Sequence, residues 1–151
     1  MTFKSNWQKV SGADSTEFYR TWRTKLGPRY CCVSDIDQAE YIWVDDKVVP
    51  VAIIEIGVAT YGPNPAYLEE ALRKVAKTRG QGAINLMVAT LLDVEFWLVI
   101  LRNGVLDRFW VHNITNPTTW YEWNEEQYKA WLLRLRSKAR EKARGVYGVP
   151  V

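Results

Sequence analysis

Two acidic side chains, Asp37 and Glu55, are the residues whose type and position could support chemistry. Glu55 lies inside the apolar stretch VAIIEIGVA, where a carboxylate is costly unless it is paired, protonated or bound to a cation. Asp37 lies at the start of the neighbouring predicted strand, and two converging carboxylates repel unless a proton or a metal separates them. Because Mg²⁺ binds through one or two carboxylates, the pair predicts a site for Mg²⁺ or Mn²⁺.

Two predicted strands bring these acids together. Residues 38–44 (QAEYIWV) and 50–56 (PVAIIEI) are rich in Val, Ile, Tyr and Trp, and the charged residues 45–47 between them predict a hairpin turn. Successive side chains of a strand point to opposite faces. We therefore expect Asp37 and Glu55 to meet on one face of the hairpin.

This arrangement resembles the core of the PD-(D/E)XK nuclease superfamily. The matching residues are Asp37 in SDIDQAEY and Glu55 in VAIIEIG, and the resemblance covers about residues 15 to 112. It implies an α/β (α+β) fold, with a mixed β-sheet flanked by helices around a restriction-endonuclease-like core. It also implies that Asp37 and Glu55 are catalytic metal ligands, with Asp35 as an additional or outer ligand.

The sequence departs from the family at two positions. Gly57 stands where the family has a lysine that orients and activates the attacking water. Either another cation (Lys47, Lys74 or Lys77) reaches the site, or the fold has lost its chemistry. Gln81 matches a catalytic glutamine at the start of the following helix, but Asn85 replaces the tyrosine that often follows. A kink between two helices also explains the glycines on either side of Gln81.

The remaining elements complete a mixed sheet in one domain spanning residues 1–151. Capping and breaking residues predict a helix over 15–26 and another beginning at Asn64 and Pro65. An apolar helix follows Gly82. Residues 94–101 predict a buried strand parallel to the Glu55 strand, and residues 105–112 predict a further strand. A basic C-terminal helix or tail occupies about 124–151, with little apolar periodicity after Leu135.

Basic residues in two regions suggest an anionic partner, with DNA first. The formal net charge of +3 is mild, so their clustering carries the prediction. A solvated helix face and a favourable helix dipole explain the same residues. The predicted nucleic-acid-binding residues are Arg73, Lys74, Lys77, Arg79, Arg136, Lys138 and Arg140.

The totals exclude several classes of protein. No apolar run approaches the roughly 20 residues that span a bilayer, and the first ten residues lack the apolar core of a signal peptide, so we expect a cytoplasmic protein. Cys31 and Cys32 are adjacent, which makes a disulfide between them unfavourable. His112 is the only histidine and has no marked catalytic partner, so we interpret it as structural.

Three functional hypotheses arise from these residues. The first is a nuclease that uses Mg²⁺ or Mn²⁺ to hydrolyse DNA phosphodiester bonds. The second is an inactive nuclease-like fold, phage-encoded, that regulates by binding nucleic acid or protein; a second copy of the chain in a homodimer is a further candidate partner. In the third, Glu55 is a structural carboxylate paired with an arginine.

Overall fold

The structure is a computed structural model that describes residues 36–76, 80–117 and 119–147, together with Thr21 and Lys25. The chain divides into two units, Met1–Val33 and Ser34–Val151, and the β-sheet lies in the second. Apart from Thr21 and Lys25, the predicted helix over 15–26 lies outside the described residues. So do Cys31, Cys32, Asp35, Lys77 and Arg79.

The described residues form a mixed sheet of five strands in sequence order. The second and third strands pair in parallel, and every other pair is antiparallel. The α/β prediction of a mixed sheet flanked by helices is confirmed. The strands are β1 (Gln38–Val44), β2 (Lys47–Ala59), β3 (Glu95–Arg102), β4 (Val105–Asn113) and β5 (Tyr121–Trp123), and the helices are α1 (Pro65–Val75), α2 (Gln81–Leu92) and α3 (Glu125–Tyr147).

The β1–β2 hairpin forms where the sequence predicts it, but β2 is longer than expected. Asp45 and Asp46 both have positive φ, 47° and 59°, as the central residues of a type I′ turn require. Strand β2 therefore begins at Lys47, three residues earlier than predicted. Pro50 pairs with Tyr41 next to a register shift, a position where a strand tolerates a residue without an N–H.

Helices α1 and α2 form the crossover from β2 to the parallel strand β3. The side chain of Asn64 accepts a hydrogen bond from the Tyr67 N–H at 2.8 Å, and Pro65 occupies the first turn of α1. The α1 start and the parallel placement of β3 are confirmed. Both helices cover the face of the sheet that carries the side chains of Ile53, Phe96 and Leu98.

Helix α3 covers the opposite face. Trp131, Leu135, Ala139 and Ala143 pack against a cluster of apolar side chains that includes Ile54. The expectation of little apolar periodicity after Leu135 is wrong, because the two alanines continue the buried stripe at four-residue spacing. The basic C-terminal segment is thus helical as far as Tyr147, and its buried stripe reaches Ala143.

Within the described part of the chain, no helix combines the length and the apolar character that crossing a membrane requires.

Candidate metal site and adjoining cavity

Strand register brings Asp37 beside Glu55. Gln38 pairs with Ile54, so Asp37 lies one residue before β1 at the level of Glu55 on β2. The Asp37 Oδ2 atom accepts a hydrogen bond from the Ile56 N–H at 3.0 Å. That bond holds the Asp37 carboxylate against the backbone of β2. The two acids therefore lie close together, as the alternation of strand side chains predicts.

Two amides from α2 contact the Glu55 carboxylate. The Asn85 Nδ2 atom donates to Glu55 Oε2 at 2.9 Å, and the Gln81 Nε2 atom donates to the same oxygen at 3.5 Å. Burial raises the pKa of Glu55, and the charge of Asp37 raises it further, whereas the hydrogen bond from Asn85 lowers it. Desolvation and repulsion are therefore only partly offset by these neutral donors.

No described cation forms an ion pair with either acid. The ion pairs among residues 36–76, 80–117 and 119–147 involve other acids, and within these ranges the side-chain hydrogen bonds to Glu55 come from the two amides. The hypothesis that Glu55 is paired with an arginine therefore finds no support in these ranges. The carboxylate pair is left with a negative charge that a cation would neutralise.

The donor set fits a magnesium ion. Asp37 and Glu55 offer hard oxygen ligands, and Mg²⁺ is usually held by one or two carboxylates while it keeps several waters. The described residues contain no group of three or more His, Cys, Asp or Glu that could hold a metal, and Asp35 lies outside them. Asn85 Oδ1 is buried and has no hydrogen-bond partner, so this acceptor is available to a water or another donor.

A cavity of about 340 Å³ adjoins Glu55 and extends beneath α1. We call it the α1 cavity. The side chain of Lys74 is 68% exposed, and its Nζ atom lies 4.0 Å from Glu70, so it is only loosely paired. Six residues that define the α1 cavity are Glu55, Gly57, Tyr67, Ala71, Lys74 and Ile100.

Lys74 is the predicted replacement cation that the structure brings to this region. Lys47 begins β2 and is eight residues from Glu55, which corresponds to about 26 Å along a strand. It therefore does not lie at the site, and that alternative is wrong. Lys77 lies outside the described residues. Lys74 lines the same cavity as Glu55 and Gly57.

Two glycines shape the site through close packing. A Cβ atom at Gly57 would lie 2.5 Å from the Ile100 Cδ1 atom, so Ile100 occupies the space that a side chain at position 57 would enter. A Cβ atom at Gly82 would lie 1.8 Å from the Val75 carbonyl oxygen. The end of α1 therefore abuts the first turn of α2, and this contact sets the position of Gln81 and Asn85.

The predicted nucleic-acid-binding residues of α3 lie on the other side of the sheet from the acids. Ile54 and Ile56 pack toward α3, so Glu55 between them points away from it. The Arg136 Nη2 atom is 3.1 Å from Glu40 Oε2, in a partly buried ion pair. Lys138 lines a separate cavity beside α3, and Arg140 is exposed. These three residues cannot hold a phosphate at the acids without movement of the fold.

On α1, Arg73 forms an ion pair with a residue of the same helix. Its Nε and Nη2 atoms donate to the two carboxylate oxygens of Glu70 at 2.8 and 2.7 Å. This contact matches the alternative interpretation of a solvated helix face with internal ion pairs. Arg79 lies outside the described residues.

Sequence reasoning did not select Asn85, which the structure places against Glu55 with no exposed surface. Asn85 follows Gln81 by four residues, so both amides project from the same face of α2. That spacing could have identified Asn85 as a neighbour of the site from the sequence. Tyr67 and Ala71 were missed as well, because they border the site only through the packing of α1 over β2 and β3.

Comparisons of the chain with protein-family models, with curated proteins and with solved structures find no match.

Proposed function

We propose that the protein is a metal-dependent phosphodiesterase that hydrolyses DNA with Mg²⁺ or Mn²⁺ held by Asp37 and Glu55. One observation carries the proposal. Glu55 is a half-buried carboxylate that faces a second acid, and no described cation pairs with either of them. Such a pair is unfavourable unless a proton or a cation neutralises it.

When bound, the divalent ion supplies an activated water and neutralises charge that develops on the phosphate. Hydrogen bonds within the chain orient the two carboxylates that would bind the ion. The Ile56 N–H fixes one oxygen of Asp37, which leaves the other oxygen available for binding. Asn85 and Gln81 orient Glu55 through Oε2, and hydrogen-bond partners of metal ligands raise metal affinity 10- to 100-fold, roughly.

In this proposal Lys74 takes the role of the lysine that the PD-(D/E)XK nucleases, which the sequence resembles, have at the position of Gly57. It lines the α1 cavity beside Glu55, and its contact with Glu70 is long enough for the ammonium group to reorient. An ammonium group there attracts the phosphate and stabilises its developing charge. DNA is the proposed partner, and the proposed location is the cytoplasm.

The test is cleavage of supercoiled plasmid and of single-stranded DNA in the presence of Mg²⁺ or Mn²⁺. We expect the wild-type protein to cleave, and Asp37→Asn and Glu55→Gln each to lower the initial rate by more than about 100-fold. The expectation exceeds the roughly 10- to 100-fold loss that accompanies removal of a residue that only orients a ligand. EDTA should abolish cleavage by the wild-type protein.

The matched control is Glu141→Gln, which neutralises an exposed acid on α3, on the opposite face of the sheet. It should cleave at the wild-type rate. Equal cleavage by all four proteins would identify a contaminating nuclease. Absence of metal-dependent cleavage by pure wild-type protein would contradict hydrolysis.

The packing of Ile100 over Gly57 favours a second candidate function, in which the fold binds nucleic acid or a protein without hydrolysis, as a phage-encoded regulator would. A side chain at position 57 cannot enter without displacing Ile100. Retained affinity for DNA together with absent cleavage would support this candidate. The double substitution Gly57→Lys and Ile100→Val, which supplies the lysine and removes the Cδ1 atom in its way, then tests whether the lost cation alone accounts for inactivity.

A further inference from the structure

The α1 cavity has the size and position of a binding site beside the candidate metal site. Its volume of about 340 Å³ lies at the lower end of the range of about 300 to 1,000 Å³ that small-molecule sites have. One wall includes Glu55 itself, so an occupant of the cavity would lie next to a group bound at the carboxylates. The side chain of Lys74 on the lining is 68% exposed, so this part of the cavity borders solvent.

The walls of the α1 cavity are mostly apolar. Leu98 and Ile100 are almost fully buried beneath it, and Ala71 lies above them on α1. Tyr67, a residue that is 39% exposed, adds an aromatic ring. A flat ring with two apolar faces suits this lining, because bases of nucleic acids stack on aromatic side chains whatever their sequence.

The polar groups of the α1 cavity complement a nucleotide. The Lys74 ammonium group suits a phosphate. The Glu70 carboxylate on the same lining is held in place by two hydrogen bonds from Arg73, at 2.7 and 2.8 Å. A cation, a fixed carboxylate and an aromatic ring therefore surround one small space.

We propose that the α1 cavity receives one unpaired nucleobase of the strand whose phosphate lies at Asp37 and Glu55. This inference rests on the proposed function and names its substrate class. A base within a duplex is stacked and paired, so it must be extruded before it can enter. The protein therefore acts on single strands, frayed ends or mismatched positions in preference to a fully paired duplex.

The test uses oligonucleotides that carry 2-aminopurine, whose fluorescence reports stacking, with Ca²⁺ in place of Mg²⁺. Affinity is measured by anisotropy for the single strand and for its fully paired duplex. We expect at least about tenfold tighter binding of the single strand, with a change in 2-aminopurine fluorescence at one position. The variant Ala71→Phe fills the α1 cavity and should remove this preference while duplex binding is unchanged.

A second variant and two matched controls address misfolding. Tyr67→Ala removes the aromatic ring and should weaken binding of the single strand about tenfold, within the range of a lost stacking contact. Ala66→Phe adds the same ring to an exposed position of α1, and Tyr61→Ala removes an exposed tyrosine outside the cavity. Both controls should behave as the wild-type protein.

The outcomes separate this inference from hydrolysis. A single-strand preference that Ala71→Phe abolishes supports the base site even if no DNA is cleaved. Metal-dependent cleavage with equal binding of single strand and duplex, or a preference unchanged in both Ala71→Phe and Tyr67→Ala, overturns the base site and leaves hydrolysis standing. Comparing DNA and RNA oligonucleotides of the same sequence shows which nucleic acid supplies the base.

Discussion

Two half-buried glutamates on adjacent strands, Glu40 on β1 and Glu55 on β2, differ in how their charge is compensated. The Glu40 side chain is 12% exposed and contacts Arg136 at 3.1 Å and the Gln38 amide at 2.6 Å. Glu55 contacts two amides and faces another acid. The ion pair of Glu40 joins α3 to the sheet. Glu55 has no cation partner among the described residues, and it is there that we propose a metal binds.

The largest expected effect concerns the cations on the two faces. Lys74→Ala should lower the initial rate of metal-dependent DNA cleavage about 100-fold, because an electrostatic group at the phosphate contributes on this scale. Lys138→Ala should change the rate less than about twofold, because Lys138 belongs to α3 on the other face. A comparable loss in Lys138→Ala would show that both faces take part.

The next largest effect is expected from breaking the ion pair between Glu40 and Arg136. Arg136→Ala should lower the free energy of unfolding by about 1–2 kcal/mol, measured by urea denaturation. Breaking a fully buried pair costs about 3–5 kcal/mol, and the 42% exposure of the Arg136 side chain reduces that cost. Arg140→Ala on the exposed side of α3 should stay within about 0.5 kcal/mol of the wild-type value. An equally small change in Arg136→Ala would contradict a stabilising pair.

Metal binding should distinguish Glu55 from Glu40, because only Glu55 belongs to the proposed metal site. If Mg²⁺ binds as proposed, a concentration of about ten times its Kd should stabilise the protein by about 1.4 kcal/mol, which corresponds to a rise of about 4 °C in Tm. Thermal unfolding with and without Mg²⁺ should show this rise in the wild-type protein and none in Glu55→Gln. A rise of equal size in both proteins would place the metal elsewhere.

The smallest effect is the pH dependence of stability. The pKa of Glu55 is raised in the folded state, so its contribution to stability is present in full below the unfolded value near 4.5 and declines as the pH rises through the folded pKa. Without metal, Glu55→Gln should therefore gain stability relative to the wild-type protein as pH increases from about 4 to about 8. Chemical denaturation across this range measures the difference. A gap that is constant with pH would exclude a raised pKa.

Sequence patterns predicted the local features of the fold. Alternation and turn residues indicated the hairpin with Asp37 beside Glu55, and the cap at Asn64 indicated the start of α1. Strand β3 was expected beside the Glu55 strand because its apolar run is buried on both faces. Each of these features depends on residues close in sequence or on a continuous apolar run.

Contacts between distant residues could not be predicted. Strand β5 has only three residues and exists through pairing with β4, so no local pattern predicts it. The hydrogen bond between Asn85 and Glu55 joins residues 30 positions apart. The pairing of Arg136 with Glu40 spans 96 positions, and no local pattern distinguishes that arginine from its exposed neighbours.

The contact between Gly82 and the Val75 carbonyl links the two helices above Glu55 mechanically. Helix α1 carries Lys74 and lines the cavity, while α2 carries the amides that donate hydrogen bonds to Glu55. With no side chain between them, the two helices pack backbone against backbone, so a larger residue at position 82 would push α2 and its two amides away from Glu55. A substitution at Gly82 would therefore change the hydrogen bonding, and with it the acidity, of Glu55 without altering that residue.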